Sequence, residues 1–137
     1  MAHLPAAQRT RILHVVKLLL ENLPPSLHNQ RDAIERCLRA MSSAMPLRAV
    51  YLFGSHARGD ARAGSDVDLC VLADDAGEQI AAARRLRETL WTVWPRPPLT
   101  LVPITPERLA EKRRTGDHFF QTVFKEGLQL ATEDRLE

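Results

Sequence analysis

Residues 53–72, FGSHARGDARAGSDVDLCVL, join two apolar segments of the chain and separate them with glycine, serine and charged residues. The second apolar segment begins with two acids, Asp66 and Asp68, on either side of Val67. An ionised carboxylate is costly to bury without a partner. The acid pair therefore indicates that this segment attracts a positively charged group.

The turn at the start of this stretch is typical of an anion site. Gly54 has no Cβ, so the backbone can leave a strand sharply there. Ser55 would begin a short helix, whose unpaired N–H groups and dipole favour an anion. Its hydroxyl can donate to a phosphate oxygen or can simply cap the helix, and both readings remain open. We expect His56, the next residue, to face solvent.

The two acids are expected to project together. Residues i and i+2 of a strand face the same side, so Asp66 and Asp68 would point one way and Val67 and Leu69 the other. Mg²⁺ prefers oxygen ligands and often shares them with substrate phosphates. A carboxylate pair can bracket two ions ~4 Å apart for phosphoryl or nucleotidyl displacement. The alternative is a strand end whose acids form salt bridges with Arg58 or Arg62.

The combined pattern resembles a known signature. Gly54-Ser55, ten further residues and Asp66-x-Asp68 lie between apolar segments. This arrangement resembles the DNA polymerase β-like nucleotidyltransferase superfamily, and within it the minimal nucleotidyltransferase (MNT) proteins. Arg58-Gly59 and Ser65 occupy the usual positions of those proteins. The resemblance extends over residues 49–131.

The resemblance implies a nucleotidyltransferase site that uses Mg²⁺ and ATP. The metal ligands and catalytic residues would be Asp66 and Asp68, in a two-metal arrangement. The residues that would bind the triphosphate are Gly54, Ser55, Arg58 and Ser65. An acceptor hydroxyl would attack the α-phosphate, and pyrophosphate would leave.

The same resemblance implies a protein partner. Many minimal members are antitoxins of bacterial toxin–antitoxin pairs, and their partner is a HEPN-family ribonuclease. Some transfer AMP to a tyrosine of that toxin (AMPylation). The resemblance therefore implies an adenylyltransferase that modifies a HEPN toxin.

One position departs from the family pattern. The family's third carboxylate lies in the third strand, in a Pro-x-Asp-Leu-Val pattern, and here Pro98 to Val102 read PLTLV, with Thr100 at the acid position. Threonine cannot act as a general base near neutral pH, so one metal site should be weakened. Glu107 and Asp117 are candidates to approach the site. The alternative function is a catalytically impaired binding module that neutralises its partner by occlusion.

The periodicity predicts an α/β (α+β) fold with a small mixed sheet covered by helices. Residues 1–46 are expected to form a helical hairpin on the same domain, with helices over 12–23 and 34–45. Residues 47–132 would form the nucleotidyltransferase core, with strands at 49–53, 66–72 and 99–104 and a final short strand at 128–131. Helices are expected to begin at 55, to span 77–94, to begin at 105 and to span 117–125. Residues 133–137 would be a polar tail.

The composition is that of an ordinary soluble globular protein. Hydrophobic residues make up 45% of the 137 residues and the net charge is only +2, so neither membrane insertion nor direct nucleic-acid binding is expected. Two cysteines without metal spacing suit a reducing interior, and we expect a cytoplasmic protein. Trp91 and Trp94 are expected to be core or interface anchors. Homo- and hetero-oligomers both remain open.

Overall fold

A computed structural model describes residues 14–135 of the chain. Its centre is a five-stranded mixed sheet in the order β1-β5-β2-β3-β4, in which only the β3–β4 pair is parallel. The strands are β1 (His14–Leu18), β2 (Leu47–Phe53), β3 (Val67–Ala73), β4 (Leu99–Ile104) and β5 (Leu128–Arg135). This architecture confirms the predicted fold class.

Helices cover both faces of the sheet. They are α1 (Arg31–Ala44), α2 (Ser55–Arg58), α3 (Gln79–Leu90), α4 (Pro106–Arg114) and α5 (His118–Glu126), and short 3₁₀ turns occupy Leu20–Asn22 and Pro25–Gln30. The larger core packs α1 and α3 against one face of the sheet. The smaller core packs α4 and α5 against the other face. The helices predicted after β2, β3 and β4 are all present.

The alternation along β3 assigns its side chains to these two cores. Val67, Leu69 and Val71 are buried in the larger core with α1 and α3. Cys70 is buried in the smaller core, on the side of α4 and α5. Because side chains two apart face the same side of a sheet, Asp68 lies on the α5 side with Cys70.

The predicted N-terminal helical hairpin is wrong. Ile12 and Leu13 lie outside the described residues, and His14–Leu18 form a strand that pairs with β5 from His14–Arg135 to Leu18–Ala131. A short apolar run fits a buried strand or a helix equally well, and the free edge of β5 decides between them by supplying hydrogen-bond partners. Only the second helix of the expected hairpin is present, as α1.

The C-terminal residues also differ from the prediction. Glu133 to Arg135 belong to β5 instead of a separate tail, while Leu136 and Glu137 lie outside the described residues. Arg48 on β2 donates to the Glu133 carboxylate at 3.1 and 3.2 Å and to Asp74 at 2.9 Å. The contact with Glu133 links the last strand, β5, to the central strand β2, and the contact with Asp74 links β2 to the end of β3.

Over residues 14–135, none of the helices is both long and apolar enough to cross a membrane.

Candidate functional site

The candidate site lies at one end of the sheet. β2 runs antiparallel to β3, and β3 runs parallel to β4, so the end of β2 meets the beginnings of β3 and β4. The register places Phe53 beside Asp68 and Asp68 beside Thr100. Phe53, Asp68 and Thr100 thus form one row across the three strands. The glycine turn begins directly after Phe53.

Gly54 brings the turn against the acid pair. Its backbone has φ 78° and ψ −155°, a conformation that residues with a side chain rarely adopt. A Cβ at this position would overlap Oδ2 of Asp68 and would lie 3.0 Å from Cγ of the same residue. Glycine is therefore required both by the backbone conformation and by the closeness of the carboxylate.

Ser55 begins the four-residue helix α2. Gly54 occupies the N-cap position, and no side-chain hydrogen bond caps the helix. The amide of Arg58 donates to the Gly54 carbonyl at 3.0 Å, and Asp60 donates back to the Ser55 carbonyl at 3.0 Å. Ser55 is the first residue of the helix and Gly54 holds the N-cap position, so the capping interpretation of Ser55 is not supported.

His56 is buried, and the expectation that it faces solvent is wrong. Only 6% of the residue is exposed. Its Nδ1 lies 2.8 Å from the Ser26 hydroxyl and its Nε2 lies 3.4 Å from the Ser65 carbonyl. Within the single turn of α2, His56 is the residue that points into the protein. Its burial is not costly, because both ring nitrogens lie near polar groups, one on Ser26 and one on Ser65.

Ser65 shapes the loop before the acids. Its hydroxyl accepts a hydrogen bond from the Arg62 amide at 2.8 Å, which closes a tight turn over residues 62–65. The side chain does not line the cleft described below. The structure therefore does not bring Ser65 into the cleft, and its carbonyl instead contacts His56.

Asp66 and Asp68 form a repulsive pair. Asp66 is exposed and Asp68 is half-buried. Burial, followed by the charge of Asp66, raises the pKa of Asp68, and Thr100, His56 and Arg58 oppose that rise only in part. The Thr100 hydroxyl donates to Asp66 at 3.0 Å. Thr100 thus supplies the two acids with a hydrogen bond in place of a third charge.

No arginine or lysine neutralises the two acids among the side chains that the structure describes. Arg58 instead pairs with Asp60 at 3.2 Å. The salt-bridge alternative for Asp66 and Asp68 is therefore not supported. A bound metal ion or another positive group would relieve the repulsion between these two carboxylates.

A cleft of about 370 Å³ opens in front of the glycine turn. It brings together four of the predicted residues, Gly54, Ser55, Arg58 and Asp68. The opposite wall is supplied by α5 and was not predicted from the sequence. Its lining residues are Phe119, Thr122, Val123 and Glu126.

Glu126 is the carboxylate that the sequence reasoning missed. It ends α5 directly before Gly127, where a Cβ would overlap the Val123 carbonyl and lie 3.2 Å from the Leu52 carbonyl. Leu128 then pairs with Leu52, which fixes the end of α5 at the site. Helical periodicity predicted this helix, but could not show which end of it meets the sheet edge.

Glu107 and Asp117, the acids named as candidates to approach the site, lie elsewhere. Asp117 caps α5 by accepting from the Phe120 amide at 3.1 Å, at the end of the helix opposite to Glu126. Glu107 is exposed in the first turn of α4. Neither lines the cleft.

The oxygen donors suit a hard cation. Asp66 and Asp68 offer two carboxylates, and Mg²⁺ can take its other ligands from water and substrate phosphates. Within residues 14–135, no three His, Cys, Asp or Glu side chains are grouped so as to hold a metal by themselves. Asp66 and Asp68 could therefore supply only part of the ligand set of such a cation.

Comparison with known proteins gives a family match. The family model described as "Nucleotidyltransferase domain" matches residues 34–122. Two solved structures are similar, each over 69% of both chains: a toxin–antitoxin with AMP-PNP (28% identity, TM-score 0.49) and a mutant of the toxin–antitoxin MntA–HpeT (25% identity, TM-score 0.48). Among curated proteins there is no significant match.

Proposed function

Since the chain belongs to the nucleotidyltransferase domain family, we propose that it transfers AMP from ATP to a hydroxyl of a partner protein. The observation that carries this proposal is the contact between Gly54 and the Asp68 carboxylate. It joins the glycine turn that begins α2 to a pair of acids with which no lysine or arginine of the described residues forms an ion pair. Such a junction suits a triphosphate bound together with a metal ion.

Different residues would bind the triphosphate and the metal ion. Ser55 and the N–H groups of α2 would face the triphosphate, and the half-exposed Arg58 guanidinium would add positive charge. Asp66 and Asp68 would hold Mg²⁺. When bound, the metal would neutralise the two carboxylates and withdraw negative charge from the phosphates.

The transfer exchanges one phosphorus–oxygen bond for another. The acceptor oxygen bonds to the α-phosphorus, the bond from that phosphorus to the β-phosphate oxygen breaks, and pyrophosphate leaves. The hydroxyl proton passes to water, because Thr100 is neutral and its own proton is engaged with Asp66. Without a base at this position the chemical step should be slow, since general-base catalysis contributes roughly 10²–10⁴-fold.

We assign the acceptor to a HEPN-type toxin. The support is the FGSHARG and SDVDL segments, which resemble the MNT antitoxins of such pairs. The hydroxyl would be that of a toxin tyrosine, and adenylylation would silence the ribonuclease.

The experiment that tests the proposal is transfer of label from α-labelled ATP to the protein encoded beside this gene, with Mg²⁺ present. Asp66→Asn combined with Asp68→Asn is expected to abolish labelling. Asp32→Asn combined with Asp75→Asn is a matched control, because it makes the same charge change at two exposed acids outside the cleft. Undiminished labelling by the first variant would contradict the proposal.

A second function is favoured by Thr100 alone. A chain that lacks the third carboxylate can still occupy its partner's active surface and neutralise it by occlusion. Under this alternative, the variant with both Asp66 and Asp68 replaced by asparagine protects cells from the toxin as well as the wild type does. Loss of protection together with loss of labelling would instead support AMP transfer.

A further inference from the structure

The outward face of α3 exposes large apolar side chains. Ile80 on the helix is 72% exposed, Trp91 directly after its last residue is 74% exposed, and Trp94, three residues further along the chain, is 79% exposed. Ile80, Arg84, Arg87 and Trp91 follow one another at spacings of four, three and four, so they lie along one side of the helix. Tryptophan and arginine are the residues most enriched at the energetic centres of protein interfaces.

A groove adjoins this face. It has a volume of about 320 Å³ and lies between α3 and β4, with lining residues that include Ala83, Arg87, Leu101 and Pro103. β4 is the last strand of the sheet, but its edge is poorly suited to pairing with another strand. Pro103 has no N–H, and its carbonyl already accepts from Gln79 at 2.7 Å. The groove therefore favours side chains from a docked helix over an added strand.

The charges of this face select an acidic occupant. Arg84 and Arg87 are exposed and make no ion pair with any side chain that the structure describes. An antiparallel second copy would bring Arg84 close to the same arginines of its neighbour, which like-charge repulsion disfavours. Residues 1–13 contain Arg9 and Arg11 but no acid, so they are equally unsuited. Carboxylates of another protein would satisfy both guanidinium groups.

The same groove leads towards the candidate site. It shares Gln79, Ile80, Val102 and Pro103 with a neighbouring cavity of about 620 Å³, which extends to Phe119. Phe119 also lines the cleft that contains Asp68. The groove, the cavity and the cleft therefore adjoin one another through shared lining residues, and a chain segment that continues from an occupant of the α3–β4 groove would follow them towards Asp68.

We propose that the α3–β4 surface, formed by Ile80, Arg84, Arg87 and Trp91 beside the groove that Pro103 lines, docks an acidic, apolar helix of the protein that supplies the acceptor hydroxyl. This inference rests on the proposed function for the role of that protein, but not for the binding itself. Docking at the groove holds the partner while an adjoining segment reaches the cleft. The surface thus determines which protein is modified.

Intrinsic fluorescence tests the docking directly, because Trp91, one of the two tryptophans of the chain, belongs to this surface and is exposed. The probe is a tryptophan-free amphipathic peptide with leucines along one face and flanking glutamates. We expect saturable binding with a blue shift of the emission, and about tenfold weaker binding of a peptide with lysine in place of glutamate. Arg84→Glu with Arg87→Glu should weaken binding of the acidic peptide by about tenfold or more. The matched control is Arg31→Glu with Arg36→Glu on α1, and it should retain binding.

Equal binding of the two peptides, or an emission that the acidic peptide does not change, would overturn the proposal. So would an emission that shifts with the concentration of the chain alone, because a second copy would then be the occupant. The arginines lie outside the cleft, so Mg²⁺–ATP binding should be unchanged in the Arg84 and Arg87 variant. If AMP transfer fails while the acidic peptide still binds, the proposed function is refuted and the docking proposal is retained.

Discussion

Gly54→Ala tests the contact on which the candidate site depends. The substitution adds one methyl group where the backbone has φ 78° and ψ −155°. Holding a residue other than glycine in such a conformation costs about 1–3 kcal/mol. Overlap of the new Cβ with the Asp68 carboxylate should add about 1–3 kcal/mol. Together these terms remove a large part of a typical stability of roughly 5–15 kcal/mol.

The two terms can be separated by a double-mutant cycle. Asp68→Ala removes Oδ2 and Cγ and leaves Cβ, which lies 3.3 Å from the Cβ position of residue 54. Urea unfolding followed by circular dichroism should show that the double variant is more stable than the sum of the single effects predicts, by about 1–3 kcal/mol. The backbone cost of the alanine should remain.

Gly59→Ala is the matched control for this cycle. Gly59 also has a positive φ, 86°, but a Cβ there would meet nothing within 4 Å. We expect a loss of about 1–2 kcal/mol that is independent of residue 68. If Gly54→Ala and Asp68→Ala were simply additive, the glycine turn would not press on the carboxylate, and the geometry on which the site is built would be refuted.

Two further predictions concern the acids and their neighbour. Because burial and Asp66 raise the pKa of Asp68 above its ordinary 3.8, the ionised carboxylate opposes folding at every pH above the raised value. Asp68→Asn should therefore raise the free energy of unfolding near neutral pH by about 0.5–1 kcal/mol, allowing for solvent screening, and the gain should vanish below the ordinary pKa; a gain independent of pH in urea titrations would contradict this cause. Thr100→Asp should accelerate label transfer by about tenfold or more by restoring a carboxylate next to Asp68, and an equal effect of Thr100→Asn would show that charge is not responsible.

Local chemistry made several elements predictable. Thr105 accepts from the Arg108 amide at 3.1 Å and so begins α4 as the sequence predicts. β4 spans Leu99–Ile104, as predicted, because an apolar run follows a cluster of prolines. The turn at Gly54 was also predicted from local chemistry, because glycine has no Cβ and permits a sharp change of backbone direction. In each case the signal lies within a few residues of the structure that it specifies.

The errors share a different cause. The segment at 14–18 forms a strand because β5, more than a hundred residues away, offers an open edge. His56 is buried because Ser26 and Ser65 approach it from two other segments. No pattern within a short window of sequence contains these contacts, so tertiary pairing decided both outcomes.

The sequence by itself determined the turn, the acid pair and the family resemblance, since backbone preferences and the alternation of strand side chains act over a few residues. Only the tertiary structure decided that Gly54 lies against Asp68, that Glu126 lines the cleft and that both tryptophans are exposed. These relations depend on strand register and on which apolar faces are buried against each other. Both are settled by contacts between segments that are distant along the chain.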